Sequence, residues 1–199
     1  MRSSLPSLVL VTDRRATGGR DLVDVVEAAL DAGCPAVQLR EKDLPGRPLL
    51  ALAERLRAAT SRTGALLLVN DRIDVAIAAG ADGVHLGGGS VPAAVARRLL
   101  GPDALIGVST HAPGEAPADA DLAFFGPVWT TPGKTAVGPG RLAEAVAASP
   151  IPVLAIGGVT AARVPAVRAA GAAGAAVIRA ILAAADPAHA TRELLAGLA

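Results

Sequence analysis

The sequence predicts a single-domain α/β protein with the (β/α)8 architecture of a TIM barrel, and three observations support this fold. Eight short apolar runs typical of β-strands recur along the 199 residues. Segments with the spacing of amphipathic helices lie between most of these runs, and small-residue turns precede several of them. Strands that alternate with helices pair in parallel, and eight such units in about 200 residues fit one compact barrel over residues 1–199.

The predicted strands are residues 7–12, 35–39, 65–69, 82–86, 104–109, 121–126, 152–157 and 174–178. Helical spacing is clearest in the segments 21–33, 47–60 and 160–171, and the alanine-rich segment 186–199 predicts a closing helix. The alternative fold is a doubly wound open sheet. That fold usually has about five or six strands and a glycine fingerprint after the first, whereas the first strand here ends in "VTDRR".

The composition excludes several classes of partner. Aromatic residues make up 2% of the chain and the net charge is +1 without a basic block, which argues against nucleic-acid binding. The apolar run "LVLV" is too short for a signal peptide or a membrane span, so a cytoplasmic protein without membrane contact is expected. The single cysteine, Cys34, excludes an internal disulfide and is expected to be a buried small hydrophobe. The sequence does not decide whether the protein forms a homo-oligomer.

Polar residues follow the second predicted strand in the string "VQLREKD". In a barrel of this type the active site lies at the C-terminal ends of the strands. Because side chains alternate along a strand, Gln38 and Arg40 share one face, which we expect to be the barrel mouth. Val37 and Leu39 then face the helices, and Lys42 follows nearby. An amide and two cations predict a site for a phosphorylated anion, and the alternative is a charged surface turn.

The third, fourth and fifth strands also carry polar residues. Asn70 and Asp71 follow four apolar residues; an asparagine can hydrogen-bond a heterocycle and an aspartate can ligate Mg²⁺, but both are also good helix N-caps. His85 is expected to be a structural residue. Ser109 lies on the inward phase of its strand and is expected to donate a hydrogen bond in the mouth, because no Ser-His-Asp arrangement is evident.

Later loops predict phosphate contacts. The long segment 126–140 contains Thr131 and Lys134, and Lys134 is either a phosphate clamp or a solvated lysine. The seventh and eighth strands end in "AIGGV" and "AVIRA", at positions where such barrels bind phosphate through backbone N–H groups. The expected phosphate contacts there are Gly157, Gly158, Ile178 and Arg179.

Taken together, these strings resemble thiamine phosphate synthases and the wider superfamily that they share with the thiazole tautomerases. The resemblance is carried by "LVTD", "VQLREKD", "LVNDRIDVAIAAGADGVHLG", "IGVSTH", "GPVWTTPGK" and "IPVLAIGGVT", in family order over nearly the whole chain. It implies a (β/α)8 barrel that joins hydroxymethylpyrimidine diphosphate to a thiazole phosphate and releases pyrophosphate, with Mg²⁺ as cofactor. The implied partners are small phosphorylated substrates.

The resemblance also implies residue roles. The residues implied to bind the pyrimidine diphosphate are Gln38, Arg40, Lys42, Asn70, Ser109 and Lys134. Asp71 would ligate Mg²⁺, and the thiazole phosphate would be surrounded by Thr131, Gly158, Ile178 and Arg179. The family's reaction is dissociative: the diphosphate leaves first, and the thiazole nitrogen attacks the pyrimidine carbocation. Ser109, Lys134 and Arg40 are therefore the expected catalytic residues, since they would stabilise the leaving group.

The chain departs from the synthase pattern in the string "GVHLGGGSVP", residues 83–92. Where the family has a glutamine, a variable residue and a metal-binding aspartate, this chain has Gly88, Gly89 and Ser90. A serine hydroxyl is a weak substitute for a charged Mg²⁺ ligand. Without the family, the glycine run also fits a phosphate-binding turn or a loose loop. Two further departures are Gly133 in place of a hydroxyl residue and Arg179 in place of a serine.

The missing aspartate leaves two alternatives to a synthase. Tautomerase-like relatives also lack it, because they move a proton on a thiazole carboxylate phosphate and bind no diphosphate metal. Their catalytic histidine lies in a "GHV" string, whereas this chain has Gly126, Pro127 and Val128, and proline cannot act as a general acid or base. The second alternative is a non-catalytic relative that binds a phosphorylated ligand.

Overall fold

The computed structural model describes residues 5–199, and its strands close into a parallel barrel in which each strand pairs with the next and the last pairs with the first. The strands are β1 Leu8–Val11, β2 Ala36–Leu39, β3 Leu66–Asn70, β4 Gly83–Leu86, β5 Leu105–Thr110, β6 Leu122–Phe125, β7 Val153–Ile156 and β8 Gly174–Val177. All eight predicted strands are confirmed, with ends shifted by at most one residue. The open-sheet alternative is wrong.

The helices cover the outside of the barrel. They are α1 Leu22–Asp31, α2 Gly46–Thr63, α3 Ile73–Ala78, α4 Ala93–Leu100, α5 Gly138–Ala148, α6 Val164–Ala169, α7 Arg179–Leu182 and α8 Pro187–Leu198. The side chains of Asp21 and Asp186 accept hydrogen bonds from the first turns of α1 and α8, which fixes where these helices begin. The predicted closing helix is confirmed as α8. Residues 111–121, between β5 and β6, form a loop.

Alternation along the strands divides the buried side chains into two layers. One set, which includes Val37 and Leu39, packs outward against the helices. The other set, which includes Val9, Phe124 and Leu154, fills the inside of the barrel. Because this interior is packed rather than open, a ligand has to bind at one end of the barrel. Within residues 5–199, no helix has the length and apolar character needed to cross a bilayer.

Candidate active site

Polar side chains replace the apolar interior where four neighbouring strands end. The inward residues at these ends are Gln38, Asn70, His85 and Ser109, one each from β2 to β5. The strand ends form the barrel mouth, where side chains from separate strands can converge on one ligand. The side chains that the sequence placed in the mouth from β2, β3 and β5 therefore do come together.

A directed chain of hydrogen bonds links three of these polar residues. The Gln38 Nε2 donates to Asn70 Oδ1 at 2.9 Å, and the Asn70 Nδ2 donates to Asp71 Oδ2 at 2.7 Å. An ionised carboxylate only accepts, so Asp71 fixes which way the Asn70 amide points, and Asn70 in turn fixes Gln38. Gln38 Oε1 is left buried without a partner, as an acceptor available to a donor in the mouth.

Asp71 is held where β3 ends in a backbone conformation that few residues adopt. Its φ is +60°, in the left-handed region where aspartate and asparagine are the best tolerated non-glycine residues. Burial opposes its ionisation, but hydrogen bonds from Ser90 and the Gly87 N–H and the nearby charge of Lys42 lower the pKa of Asp71 below its ordinary value. The N-cap interpretation is wrong for this residue, because α3 begins after Arg72 without a side-chain cap.

The glycine-rich string after β4 folds back onto Asp71. The Gly87 N–H donates to Asp71 Oδ1 at 2.8 Å, and the Ser90 hydroxyl donates to the same oxygen. A Cβ added to Gly88 or Gly89 would meet no atom within 4 Å, and neither residue has a positive φ, so neither packing nor conformation requires glycine there. The turn therefore brings position 90 against Asp71, as a metal loop would, but supplies a hydroxyl instead of a carboxylate.

The charged residues that follow β2 alternate between two anions anchored by Arg14 and two cations without an ion pair. The buried Glu41 accepts from the Arg14 N–H at 3.0 Å and from its guanidinium at 2.8 Å, and Asp43 accepts from the same guanidinium at 2.6 and 2.7 Å. Arg40 and Lys42 alternate with these anchors, and neither forms an ion pair within residues 5–199. The charge of Lys42 helps to lower the pKa of Asp71 and that of Arg40 helps to lower the pKa of His85, so both cations lie near the mouth.

His85 and Ser109 are paired inside the mouth. The His85 Nε2 lies 2.8 Å from Ser109 Oγ, and the imidazole packs on Phe124 with 4.2 Å between ring centroids. A Cβ on Gly107 would lie 2.7 Å from His85 Nδ1, so glycine makes room for the ring. Burial lowers the pKa of His85 to about 3, which leaves the imidazole neutral at neutral pH.

The tip of the loop after β6 contains two of the candidate residues, Thr131 and Lys134. The backbones of Thr131 and Lys134 pair in a tight turn, with N–H to oxygen distances of 3.3 and 3.0 Å. The Lys134 side chain is exposed and forms no ion pair in the part of the chain that the structure describes. Gly133 has a φ of +75°, so the hydroxyl residue expected from the family would be strained in this turn.

Two left-handed glycines follow β7. Gly157 and Gly158 have φ values of +94° and +67°. A Cβ on Gly157 would lie 2.5 Å from Pro127 Cα, and one on Gly158 would lie 2.8 Å from Trp129 Cβ. These positions therefore require glycine, and no side chain covers the backbone there.

Unused backbone donors lie at the ends of β7 and β8. Within residues 5–199, the N–H groups of Gly157, Gly158, Ile178 and Arg179 donate to no acceptor. The Arg179 side chain is exposed and has no ion-pair partner in the same range. N–H groups and a positive charge at this edge of the mouth favour an anion.

A cleft of about 400 Å³ lies at the opposite, N-terminal end of the barrel. Its lining includes Leu30, Cys34, Thr63 and Leu66, and no charged side chain contributes to it. Cys34 is buried, as expected, and burial raises the pKa of its thiol to about 11, so the thiol is protonated and unreactive at neutral pH. This cleft therefore offers no charged side chain to a phosphorylated ligand.

Comparison with known proteins shows the family of this chain. The model of the thiamine monophosphate synthase family matches residues 8–181, which spans β1 to α7. The chain belongs to this family. A putative thiamine-phosphate synthase of Geobacter sulfurreducens is 56% identical over 198 residues, covering 96% of this chain and 93% of the relative. The thiamine-phosphate synthase of Roseiflexus castenholzii is 46% identical, covering 93% of this chain and 85% of the relative.

A solved structure of the thiamine monophosphate synthase family has the same fold. The thiamine phosphate pyrophosphorylase of Pyrococcus furiosus superposes with a TM-score of 0.86 at 36% identity, covering 96% of this chain and 95% of that one. A 3-hexulose-6-phosphate synthase, at 22% identity and a TM-score of 0.66, shares the barrel fold. The predicted fold and family are both confirmed.

Proposed function

We propose that this chain is a thiamine-phosphate synthase, which condenses hydroxymethylpyrimidine diphosphate with thiazole phosphate and releases pyrophosphate. The observation that carries the proposal is the division of the mouth into two anion sites. On one side the charge of Lys42 acts on Asp71 and that of Arg40 acts on His85, and on the other side lie the unused N–H groups after β7 and β8. Two phosphorylated molecules can therefore meet above the same barrel.

The pyrimidine diphosphate belongs on the side of β2 to β5 in this proposal. Arg40 and Lys42 are free to bind phosphate oxygens, since their neighbours hold the loop through Arg14. The buried Gln38 Oε1 would accept a hydrogen bond from the heterocycle, and Asn70 holds that amide in place. The Ser109 hydroxyl and the exposed Lys134 side chain would donate to the diphosphate.

The thiazole phosphate belongs on the side of β7 and β8. Gly157 and Gly158 expose backbone that a phosphate can approach, and Ile178 and Arg179 contribute N–H groups. Thr131 follows Thr130, whose backbone oxygen would lie 3.3 Å from a Cβ on Gly158, so the loop tip begins beside this edge. Arg179, which replaces the family's serine, would add charge to the phosphate contact rather than a hydroxyl hydrogen bond.

Residues that can hold Mg²⁺ lie between β3 and the turn after β4. Asp71 and Ser90 are carboxylate and hydroxyl oxygen donors in contact, and Mg²⁺ is commonly bound by one or two carboxylates together with substrate phosphates. This donor set fits Mg²⁺, with Asp71 as the charged ligand and the diphosphate supplying further oxygens. When bound, Mg²⁺ would neutralise charge that develops on the leaving diphosphate.

The chain's own residues supply orientation and positive charge for a dissociative reaction. Arg40 and Lys42 stabilise the departing diphosphate, and Ser109 donates a hydrogen bond to it. The Gln38 amide holds the pyrimidine ring while the exocyclic carbon of the pyrimidine becomes electron-poor. The thiazole phosphate site holds the nucleophilic nitrogen against that carbon, so that attack is faster than capture by water.

A steady-state assay with both substrates and a Mg²⁺ titration tests the proposal. We expect thiamine phosphate and pyrophosphate in equal amounts, loss of turnover on chelation, and recovery when Mg²⁺ is restored. Binding of thiazole phosphate by calorimetry without turnover at any Mg²⁺ concentration would identify a non-catalytic relative. Conversion of the thiazole carboxylate phosphate without metal would identify a tautomerase.

Restoring the missing carboxylate should strengthen metal binding. In the variant Ser90→Asp, two carboxylates face each other, and we expect the half-saturating Mg²⁺ concentration to fall by about 10-fold because the site gains a charged ligand. Like charges should also lower the melting temperature without Mg²⁺ and raise it with Mg²⁺. Ser90→Asn is the control, because asparagine has the size of aspartate without its charge. An unchanged Mg²⁺ dependence in Ser90→Asp would mean that position 90 does not face the metal.

A further inference from the structure

A buried imidazole with one bonded and one unpartnered nitrogen lies behind Ser109. His85 is 2% exposed, its Nε2 lies 2.8 Å from Ser109 Oγ, and its Nδ1 has no hydrogen-bond partner. The ring is fixed between Phe124 and the bare Cα of Gly107. The His85–Ser109 pair is therefore held rigidly, and the tautomer of His85 determines which of the two groups donates the hydrogen.

The unpartnered nitrogen decides between the two neutral forms of His85. With its proton on Nδ1, the imidazole would bury an N–H group that has no acceptor, which carries the full desolvation cost of that donor and is rare in folded proteins. With its proton on Nε2, the imidazole donates to Ser109 Oγ, and only an acceptor lone pair is left unpaired beside Gly107. The second form leaves the less costly group unsatisfied, since orphaned N–H groups are the rarer kind.

We propose that His85 is a positioning residue that donates from Nε2 to Ser109 Oγ and so directs the Ser109 hydroxyl hydrogen into the mouth. A hydroxyl has one hydrogen and two lone pairs, so accepting from His85 leaves that hydrogen free for another acceptor. In the opposite arrangement, Ser109 would donate to the imidazole and present only lone pairs to the ligand. Lone pairs repel an anionic oxygen, whereas the hydrogen binds it.

This inference rests on the proposed function, in which Ser109 meets the leaving diphosphate. The hydroxyl would then be oriented before the substrate arrives, so no reorganisation is needed as charge develops on the diphosphate. His85 transfers no proton in this role. Gly107 takes part through its missing side chain, because any larger residue would push the imidazole away from Ser109.

Two variants separate positioning from packing. His85→Gln keeps an amide N–H close to the position of Nε2, and His85→Leu fills the space without a donor. We expect His85→Leu to lower kcat by about 10-fold or more with an unchanged KM for thiazole phosphate, and His85→Gln to restore most of that loss. Equal losses in both variants would overturn the proposal.

A double-mutant cycle with Ser109→Ala links the effect to the hydroxyl. If His85 acts through Ser109, His85→Leu should cost less than about 2-fold in the Ser109→Ala background, although it costs about 10-fold in the wild type. If the two losses multiply instead, His85 acts through the core and the proposal is wrong. Melting temperatures of all variants report packing separately.

A spectroscopic measurement tests the hydrogen bond without any substrate. The chain has three histidines, so ¹⁵N-histidine labelling gives few signals, and the His85 signals are those missing from His85→Gln. We expect the His85 proton on Nε2 at neutral pH, with Nδ1 unprotonated; a proton on Nδ1 would overturn the proposal. Because this result needs no turnover, an inactive wild type would refute the proposed function while the tautomer still decides the role of His85.

Discussion

Replacing Asp71 by asparagine is expected to lower turnover by about 100-fold or more while the barrel stays folded. The change removes the carboxylate that accepts from the Gly87 N–H and the Ser90 hydroxyl where β3 ends. Asparagine suits the test because it tolerates the φ of +60° at this position and keeps an oxygen for the Gly87 N–H. Steady-state kinetics at saturating substrates, with Mg²⁺ varied, measures the loss.

Asp74→Asn is the matched control for this variant. It makes the same chemical change three residues along the chain, but the Asp74 carboxylate is exposed and pairs with Arg72 on the surface of α3. We expect its turnover to stay within about 2-fold of the wild type, since exposed ion pairs contribute little. Similar turnover in Asp71→Asn and the wild type would remove Asp71 from the metal site.

Replacing Gly83 by alanine is expected to destabilise the protein by about 3 kcal/mol or more, without any direct contact with a ligand. A Cβ at this position would lie 1.8 Å from the backbone oxygen of Leu105 and 2.6 Å from its carbonyl carbon. Those atoms belong to the β4–β5 ladder, where Gly83 is the register partner of Leu105. The strands would have to move apart, because a backbone oxygen cannot rotate away as a side chain can.

Urea unfolding, analysed with the same m value for each variant, measures this loss, and Gly140→Ala is the control. A Cβ on Gly140 meets nothing within 4 Å, and its φ is not positive. Alanine there lies in α5 and should change the free energy of unfolding by less than about 1 kcal/mol or increase it. Equal stabilities for the two variants would show that β4 and β5 can separate at low cost.

The strands were predictable because each is a short apolar run between turns, and the barrel followed from their number and their alternation with helices. The orientation of Gln38 was predictable for the same reason, since the period of two along β2 fixes which side chains face inward. These features depend on local order in the sequence. They need no knowledge of which strands become neighbours.

Contacts between distant segments were not predictable from the pattern. Nothing in "VTDRR" shows that Arg14 anchors Glu41 and Asp43 from a different loop. The alternating charges of "REKD" were a usable signal that the two anions and the two cations have different partners. The His85 and Ser109 contact joins β4 to β5 and depends on Gly107 being bare. Such contacts arise from barrel closure and strand register.

The hydrogen-bond chain from Gln38 through Asn70 to Asp71 runs in one direction from donor to acceptor, and the Asp71 carboxylate sets that direction. An amide is nearly symmetrical in shape, so Asn70 and Gln38 could each turn over and exchange donor for acceptor with little change in packing. Only the charge of Asp71 prevents this. In the proposed function, the group that would hold the metal would thus also determine which heterocycle the barrel binds, and a chain that changed this ligand would change its choice of substrate as well.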